Sequence, residues 1–321
     1  MNSTITQLDE LFTAPDFVIA GAMKCGTTTL HQMLAQHPDV FMADDELFYF
    51  DMDDIAQHPD FLFKKKDKLL THEVARDPKY YQSWYESRFK GAYDRQLKGE
   101  DSTTYICSEL AIARLAKCNP EMKLVIMLRQ PSLRVYSHYW HMVRAGRAIY
   151  SFEDTLRFQS SLLLQRSDYC DQLKMIYRYF AREQVKIVLF EELVKNANLV
   201  IRDVCTFLGV PEGKLPSDVS TIHANKGQVP KFLSLHLLKC RLFRKSNSGA
   251  YQVHFTDAKI KNSRPWFEKV YRQLNPMINK KAPKMRPDHK ELLDRYFAKT
   301  MHDIDELTGL CVFKTWFSKE D

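Results

Sequence analysis

Phe17-Val18-Ile19-Ala20-Gly21-Ala22-Met23-Lys24-Cys25-Gly26-Thr27-Thr28-Thr29-Leu30 is the stretch that decides the fold class of this chain. The apolar run 17–20 has the length and the Val/Ile content of a strand buried on both faces of a parallel sheet. It runs into a glycine-bounded loop. A helical pattern over 28–36 follows and stops at His37-Pro38. The loop has the make-up of an anion cradle. Glycines let the backbone approach an anion, and exposed N–H groups at the helix start point at it. Thr27, Thr28 and Thr29 add hydroxyl donors and Lys24 adds a full positive charge. An ordinary strand-to-helix turn is the plain alternative, but it does not account for strand, Gly-x4-Gly, Lys and Thr occurring together. The nucleotide-triphosphatase pattern G-x4-G-K-[ST] is met only in part. Gly21 and Gly26 keep its spacing, Thr27 stands where the lysine belongs, and the lysine lies inside the loop at Lys24.

Working outward, two more apolar runs, 123–128 and 185–190, read as buried strands. Helical patterns cover 108–117, 131–145, 171–181, 192–208 and 287–307, with Gly209 as a C-cap. The alternation predicts an α/β fold, a doubly wound and mostly parallel sheet flanked by helices. No Pro/Gly/Ser-rich linker divides the chain, so 1–321 reads as a single domain. Residues 221–287 are less regular and read as a loop-rich lid or acceptor wall, or as an irregular surface excursion.

With 321 residues and 45% hydrophobic composition, the chain has ample material for a core. A net charge of +7 suits an anionic cosubstrate. No basic stripe with interleaved aromatics points to nucleic acid, and Lys64-Lys65-Lys66 reads as solvated surface. Seven cysteines without a CxxC pair indicate a reducing compartment rather than a disulfide or zinc framework. No segment approaches the apolar length of a membrane span, and the N-terminus lacks a signal-peptide pattern, so a cytoplasmic protein is expected. Oligomeric state is not legible.

A second candidate anion site follows the run 123–128. Arg129 sits at the carboxyl end of that strand, where open α/β sheets place ligands. Ser137 follows within the helix begun by Pro131, and an Arg with a Ser there suits a phosphate. An arginine after a strand also suits a surface ion pair. Arg134 is expected to support the helix or a neighbouring loop.

Residues 15–30 resemble the 5′-phosphosulfate loop of sulfotransferases that use 3′-phosphoadenosine 5′-phosphosulfate (PAPS), whose core is K-x-G-T-[ST]. Residues 129–139 are similar to that family's R-x-P-x-x-R-x-x-S-x-Y segment. Gly99-Glu100-Asp101-Ser102-Thr103-Thr104-Tyr105 resembles its G-E-K-[ST]-P-x-Y, and Tyr169-Cys170-Asp171-Gln172-Leu173 its Y-x-x-Q-L. Asn225-Lys226-Gly227 resembles a later loop that closes on the nucleotide. The likeness covers most of the chain and lies nearer the carbohydrate and bacterial branch. It implies a P-loop-like sulfotransferase fold with PAPS as donor and 3′-phosphoadenosine 5′-phosphate (PAP) as product. It implies that Lys24 meets the bridging oxygen and sulfuryl group. Cys25, Gly26, Thr27, Thr28 and Thr29 would hold the 5′-phosphate, Arg129 and Ser137 the 3′-phosphate. Tyr169, Asn225, Lys226 and Gly227 would complete the nucleotide site.

In the heparan-type branch, K-E-x-x-[FY]-F carries the catalytic base. Glu46 of Asp45-Glu46-Leu47-Phe48-Tyr49-Phe50 falls on its glutamate. Glu46 also sits among Asp44, Asp45, Asp51, Asp53 and Asp54, and solvated acids are the plain alternative; His138 and His141 are rival bases. Asp45 and Asp101 replace lysines of the family patterns. That reversal favours a cationic small acceptor, an amine or guanidinium natural product such as a saxitoxin-like alkaloid, contacted by Asp45, Phe48, Asp101 and His141. Whether oxygen or nitrogen is sulfated stays open. No metal site is expected. The competing readings are a small-molecule kinase with a degenerate loop, using acids after the strand 185–190, and a non-catalytic nucleotide-binding protein.

Overall fold

The run that follows Asp16 is buried at every position, and strand β1 (Phe17–Gly21) is accordingly the middle of the sheet. The computed structural model describes residues 14–222, 227–243 and 265–318. After β1 the chain forms α1 (Thr27–Leu34), β2 (Val40–Met42), a ribbon of β3 (Phe63–Lys65) and β4 (Lys68–Leu70), and α2 (Pro78–Ser87). Next come β5 (Leu97–Asp101), α3 (Glu109–Cys118), β6 (Lys123–Leu128), α4 (Pro131–Arg144), α5 (Phe152–Phe158), α6 (Ser160–Leu164) and α7 (Tyr169–Ile176). Then follow β7 (Val185–Leu189), α8 (Phe190–Lys195), α9 (Ala197–Leu208), β8 (Gln228–Pro230) and α10 (Leu233–Leu242). The described chain ends with α11 (Pro265–Leu274), β9 (Met277–Asn279), α12 (Pro287–Thr300), α13 (Ile304–Thr308) and α14 (Phe313–Phe317).

The main sheet has five strands in the order β2-β5-β1-β6-β7, and every pairing in it is parallel. From β1 the chain moves to one edge, fills in β5, then crosses to β6 and β7 on the other side. The carboxyl ends of β1 and β6 therefore flank the point where the winding reverses, which is where such sheets bind ligands.

Two strands of the main sheet escaped sequence reasoning, as did the short pairs β3–β4 and β8–β9. β2 is only three residues long. β5 reads Leu-Lys-Gly-Glu-Asp and carries no apolar run, yet it lies inside the sheet with Gly99, Glu100 and Asp101 buried. Gly99 is required there: a Cβ would lie 2.2 Å from the Phe17 ring on β1. Expected bounds shift elsewhere. Phe190 leaves the strand and opens α8. The helix expected over 192–208 is broken at Asn196, whose side chain accepts the Leu199 N–H at 3.1 Å and caps α9. Gly209 ends α9 with φ 86°, as its position predicted. The helix expected over 287–307 is two, α12 and α13.

The chain separates into two compact units, each assembled from several stretches. Described residues 14–129, 169–222 and 303–310 form the first, which holds the main sheet. The second holds 130–168, the described part of 227–302, and 311–318. In the second unit α4 packs on α12, where Gln130 and Ser132 both donate to Asp294. Arg134 is fully buried and bonds Ser167 and the Leu163 carbonyl, which ties α4 to α6 and the turn after it. Within 221–287 the described residues are more regular than the sequence suggested: α10, α11 and the antiparallel pair β8–β9. His236 of α10 bridges the Tyr271 hydroxyl at 3.0 Å and the Val143 carbonyl at 2.8 Å. No helix among the described residues is long and apolar enough to cross a membrane.

Candidate active site

The loop after β1 turns through backbone conformations that side chains resist. Gly21 has φ 141°, Lys24 φ 71° and Gly26 φ 92°. A Cβ on Gly21 would meet the Ile106 side chain at 2.5 Å, and one on Gly26 would meet the Phe190 ring at 2.9 Å. Gly26 is the N-cap of α1 and offers no side-chain cap, and the first turn carries no acidic residue. The N–H groups of Thr27 and Thr28 have no acceptor within the helix, so they and the helix dipole form an anion site. Thr28 is exposed, Thr29 half-buried, and the Thr27 side chain buried. Cys25 is buried too. Its Sγ lies 3.7 Å from the Tyr169 hydroxyl, which donates to the Arg129 carbonyl at 3.0 Å. Tyr169 thus braces the loop against the end of β6.

Arg129 lies directly after β6. Its guanidinium stacks 4.4 Å from the Phe190 ring centroid, and Nη1 reaches the Lys24 carbonyl at 3.4 Å. Its buried Nε has no hydrogen-bond partner. Glu191 and Glu192, the candidate kinase acids, open α8 beside Phe190. No group of three or more His, Cys, Asp and Glu able to hold a metal occurs among the described residues. Ser137, His138 and His141 belong to the second unit, on α4. Ser137 and His141 are half-buried, and the two histidine rings lie 6.4 Å apart.

Glu46 is half-buried, and its Oε1 accepts the Thr103 hydroxyl at 2.6 Å. Burial raises its pKa above the usual carboxylate range; the Thr103 hydrogen bonds oppose this, Asp101 adds to it, and Lys24 opposes it. The residues after Glu46 are held by the same segment. Ser102 Oγ accepts the Phe48 N–H at 2.9 Å, and the Tyr105 hydroxyl accepts the Phe50 N–H at 3.2 Å. Beneath them Glu100, fully buried, accepts from Tyr85 at 2.9 Å and Ser102 at 3.0 Å, and its pKa is pushed up by burial to about 8.

The neighbouring acids separate cleanly from Glu46. Asp53 takes a bidentate pair from Arg114 at 2.6 and 2.8 Å. Asp54 accepts from Ser108 at 2.7 Å, and buried Asp51 faces His58 at 2.8 Å. These three are structural. Asp44 and Asp45 are exposed.

One expectation about the acceptor side needs correcting. Asp101 is buried, and its Oδ1 is bonded to His31 Nδ1 of α1 at 2.8 Å. It is no free carboxylate facing an acceptor; His31 occupies it. Only Asp45 of the pair stays open. The Phe48 ring, on a residue with φ 52°, packs on His58 and Phe61 with centroids 5.0 and 6.1 Å away. Asn225 and Lys226 lie outside the described residues. Gly227 passes close to the backbone of the strand-end turn: a Cβ would lie 3.1 Å from the Lys280 carbonyl oxygen. Sequence reasoning missed Thr103, His31 and Phe190. Only Thr103 left a signal: it stands where G-E-K-[ST]-P-x-Y has proline.

Residues 15–213 match the model described as the sulfotransferase family. The chain belongs to that family. This sulfotransferase is 27% identical over 208 residues to the heparan sulfate glucosamine 3-O-sulfotransferase 5 of Mus musculus, across 61% of this chain and 54% of the relative. It is 25% identical over 213 residues to the human bifunctional heparan sulfate N-deacetylase/N-sulfotransferase 2, across 61% of this chain and 22% of that one. The sulfotransferase thus spans about half the length, or less, of these curated relatives. A solved sulfotransferase from Alicyclobacillus acidocaldarius is similar over 94% of this chain and 98% of its own, with 25% identity and a TM-score of 0.61. That likeness agrees with the parallel sheet and the loop after β1.

Proposed function

We propose that the chain transfers the sulfuryl group of PAPS in-line to a hydroxyl or nitrogen of an acceptor. The observation that carries this is the link between base and phosphate loop: Thr103 donates to Glu46 at 2.6 Å, and its carbonyl lies 3.0 Å from where a Cβ on Gly21 would sit. Three features suit a nucleotide with phosphates at its 5′ and 3′ ends. The start of α1 is free of acids, Gly26 leaves the backbone bare, and the Nε of Arg129 is buried without a partner.

In this reading Glu46 takes the acceptor's proton as the new bond to sulfur forms. The bond from sulfur to the bridging oxygen breaks, and its electron pair leaves on the 5′-phosphate of PAP. Lys24 stabilises the charge developing there. Thr27, Thr28 and Thr29 hold the 5′-phosphate, and Arg129 the 3′-phosphate. A cytoplasmic setting belongs to the same proposal and accords with seven free cysteines.

The acceptor is a small molecule, and exposed Asp45 favours a cationic one. With Asp101 occupied by His31, that preference rests on a single charge. A glucosamine-containing carbohydrate is the second reading, favoured by the heparan sulfate relatives. The first test is thermal stability with PAP and, separately, with ATP. A rise with PAP and little with ATP is expected, since selective binding stabilises by mass action. A rise with ATP alone would move the assignment to a kinase. Parallel PAPS turnover with agmatine and with a heparan-type glucosamine oligosaccharide then separates the acceptor readings.

A further inference from the structure

We infer that Thr103 is the positioning residue of the Glu46 base, a role this chain has built at a place where the related motif carries proline. The inference rests on the reading of Glu46 as the base.

The Thr103 hydroxyl grips the carboxylate, donating to Oε1 at 2.6 Å. A proline at this position would supply no such donor, having no hydroxyl. Thr103 is itself held. It is buried, its carbonyl lies against Gly21 of the phosphate loop, and its neighbour Ser102 is anchored on Glu100. The grip fixes one carboxylate oxygen and leaves Oε2 for the acceptor's proton. It also favours the charged form of the base against burial. Burial and the Asp101 carboxylate of β5 favour the protonated form; Thr103 and Lys24 favour the charged one. Of the other charged groups nearby, His31 of α1 is engaged on Asp101, and Asp45 is exposed beside Glu46 in the chain. Removing the Thr103 hydroxyl takes away the largest of the contributions that oppose burial.

The test follows the Glu46 side-chain carboxyl by 13C NMR against pH, with PAP bound, its resonance assigned by its loss in Glu46→Gln. In Thr103→Val the titration midpoint moves up, and in Thr103→Ser it stays with the wild type. PAP affinity is the same in all three. PAPS turnover by Thr103→Val, with whichever of agmatine and the glucosamine oligosaccharide serves the wild type, falls about tenfold at neutral pH and recovers at alkaline pH. Thr103→Ala, which adds no bulk, carries the same expectation if valine is not accommodated. An unmoved midpoint in both variants overturns the inference, as does a loss of PAP affinity in step with rate. Should Glu46→Gln turn over normally, the base reading fails while the titration still reports on the grip.

Discussion

The phosphate loop and the base-bearing segment 44–54 follow β1 and β2, the two strands that flank β5, and are held by opposite means. The loop is shaped by backbone. Gly21 and Gly26 take conformations that side chains resist, and the flanking Ile106 and Phe190 side chains leave no room for a Cβ. The base segment is shaped by side chains reaching from elsewhere. Thr103, Ser102 and Tyr105 take the Glu46 carboxylate and the Phe48 and Phe50 amides, and Arg114 takes Asp53 together with the Phe50 carbonyl at 2.9 Å. A site held by its own backbone is damaged by adding an atom. One held by borrowed hydroxyls and carboxyls is damaged by removing one.

The sharpest way to break this contrast is Gly26→Ala. The added methyl meets the Phe190 ring at 2.9 Å in a backbone with φ 92°. That ring also supports Arg129. PAP affinity by calorimetry is expected to fall about a hundredfold. Unchanged affinity would mean that the loop does not depend on a bare backbone.

Gly99→Ala carries the next largest effect and tests the seam between the two regions. Its methyl would press into the Phe17 ring from 2.2 Å and push β5 from β1. A loss of about 1–3 kcal/mol in urea unfolding is expected. Because β5 leads into the clamp, turnover should fall further than PAP binding.

Glu100→Gln is the mildest change and sharpens the comparison through pH. Burial raises the Glu100 carboxyl from 4.5 to about 8 in the folded chain. The folded state therefore holds the proton more tightly than the unfolded one. Its contribution to stability is full below about 4.5 and is lost as pH climbs through about 8. Glutamine cannot ionise, so urea midpoints of the variant at about pH 5 and about pH 9 should differ less than those of the wild type. Equal differences would place the pH sensitivity elsewhere.

Much of this was legible in the chain, and the reason is local. A strand followed by glycines and a helix start is a short-range pattern, and the phosphate loop carries it within contiguous residues. β1, β6 and the start of α4 read correctly because apolar runs and Pro131 act within a few residues. β5 did not, because its polar residues are compatible with burial only through distant partners: Tyr85 for Glu100 and His31 for Asp101. The charge-reversal argument lost one of its two carboxylates for the same reason. A sequence shows that Asp101 is acidic, and only the packing of α1 on β5 shows that His31 already holds it.

The sequence by itself determined the parallel α/β class, the phosphate loop and the family, since each is written in contiguous residues or in spacing along one element. Tertiary structure decided which acids are structural, which carboxylate is free, and what grips Glu46. Those outcomes depend on side chains 57 residues apart for Thr103 and Glu46 and 70 apart for Asp101 and His31. Hydrogen bonds between such groups form only where the folded sheet brings strand ends together and removes competing water.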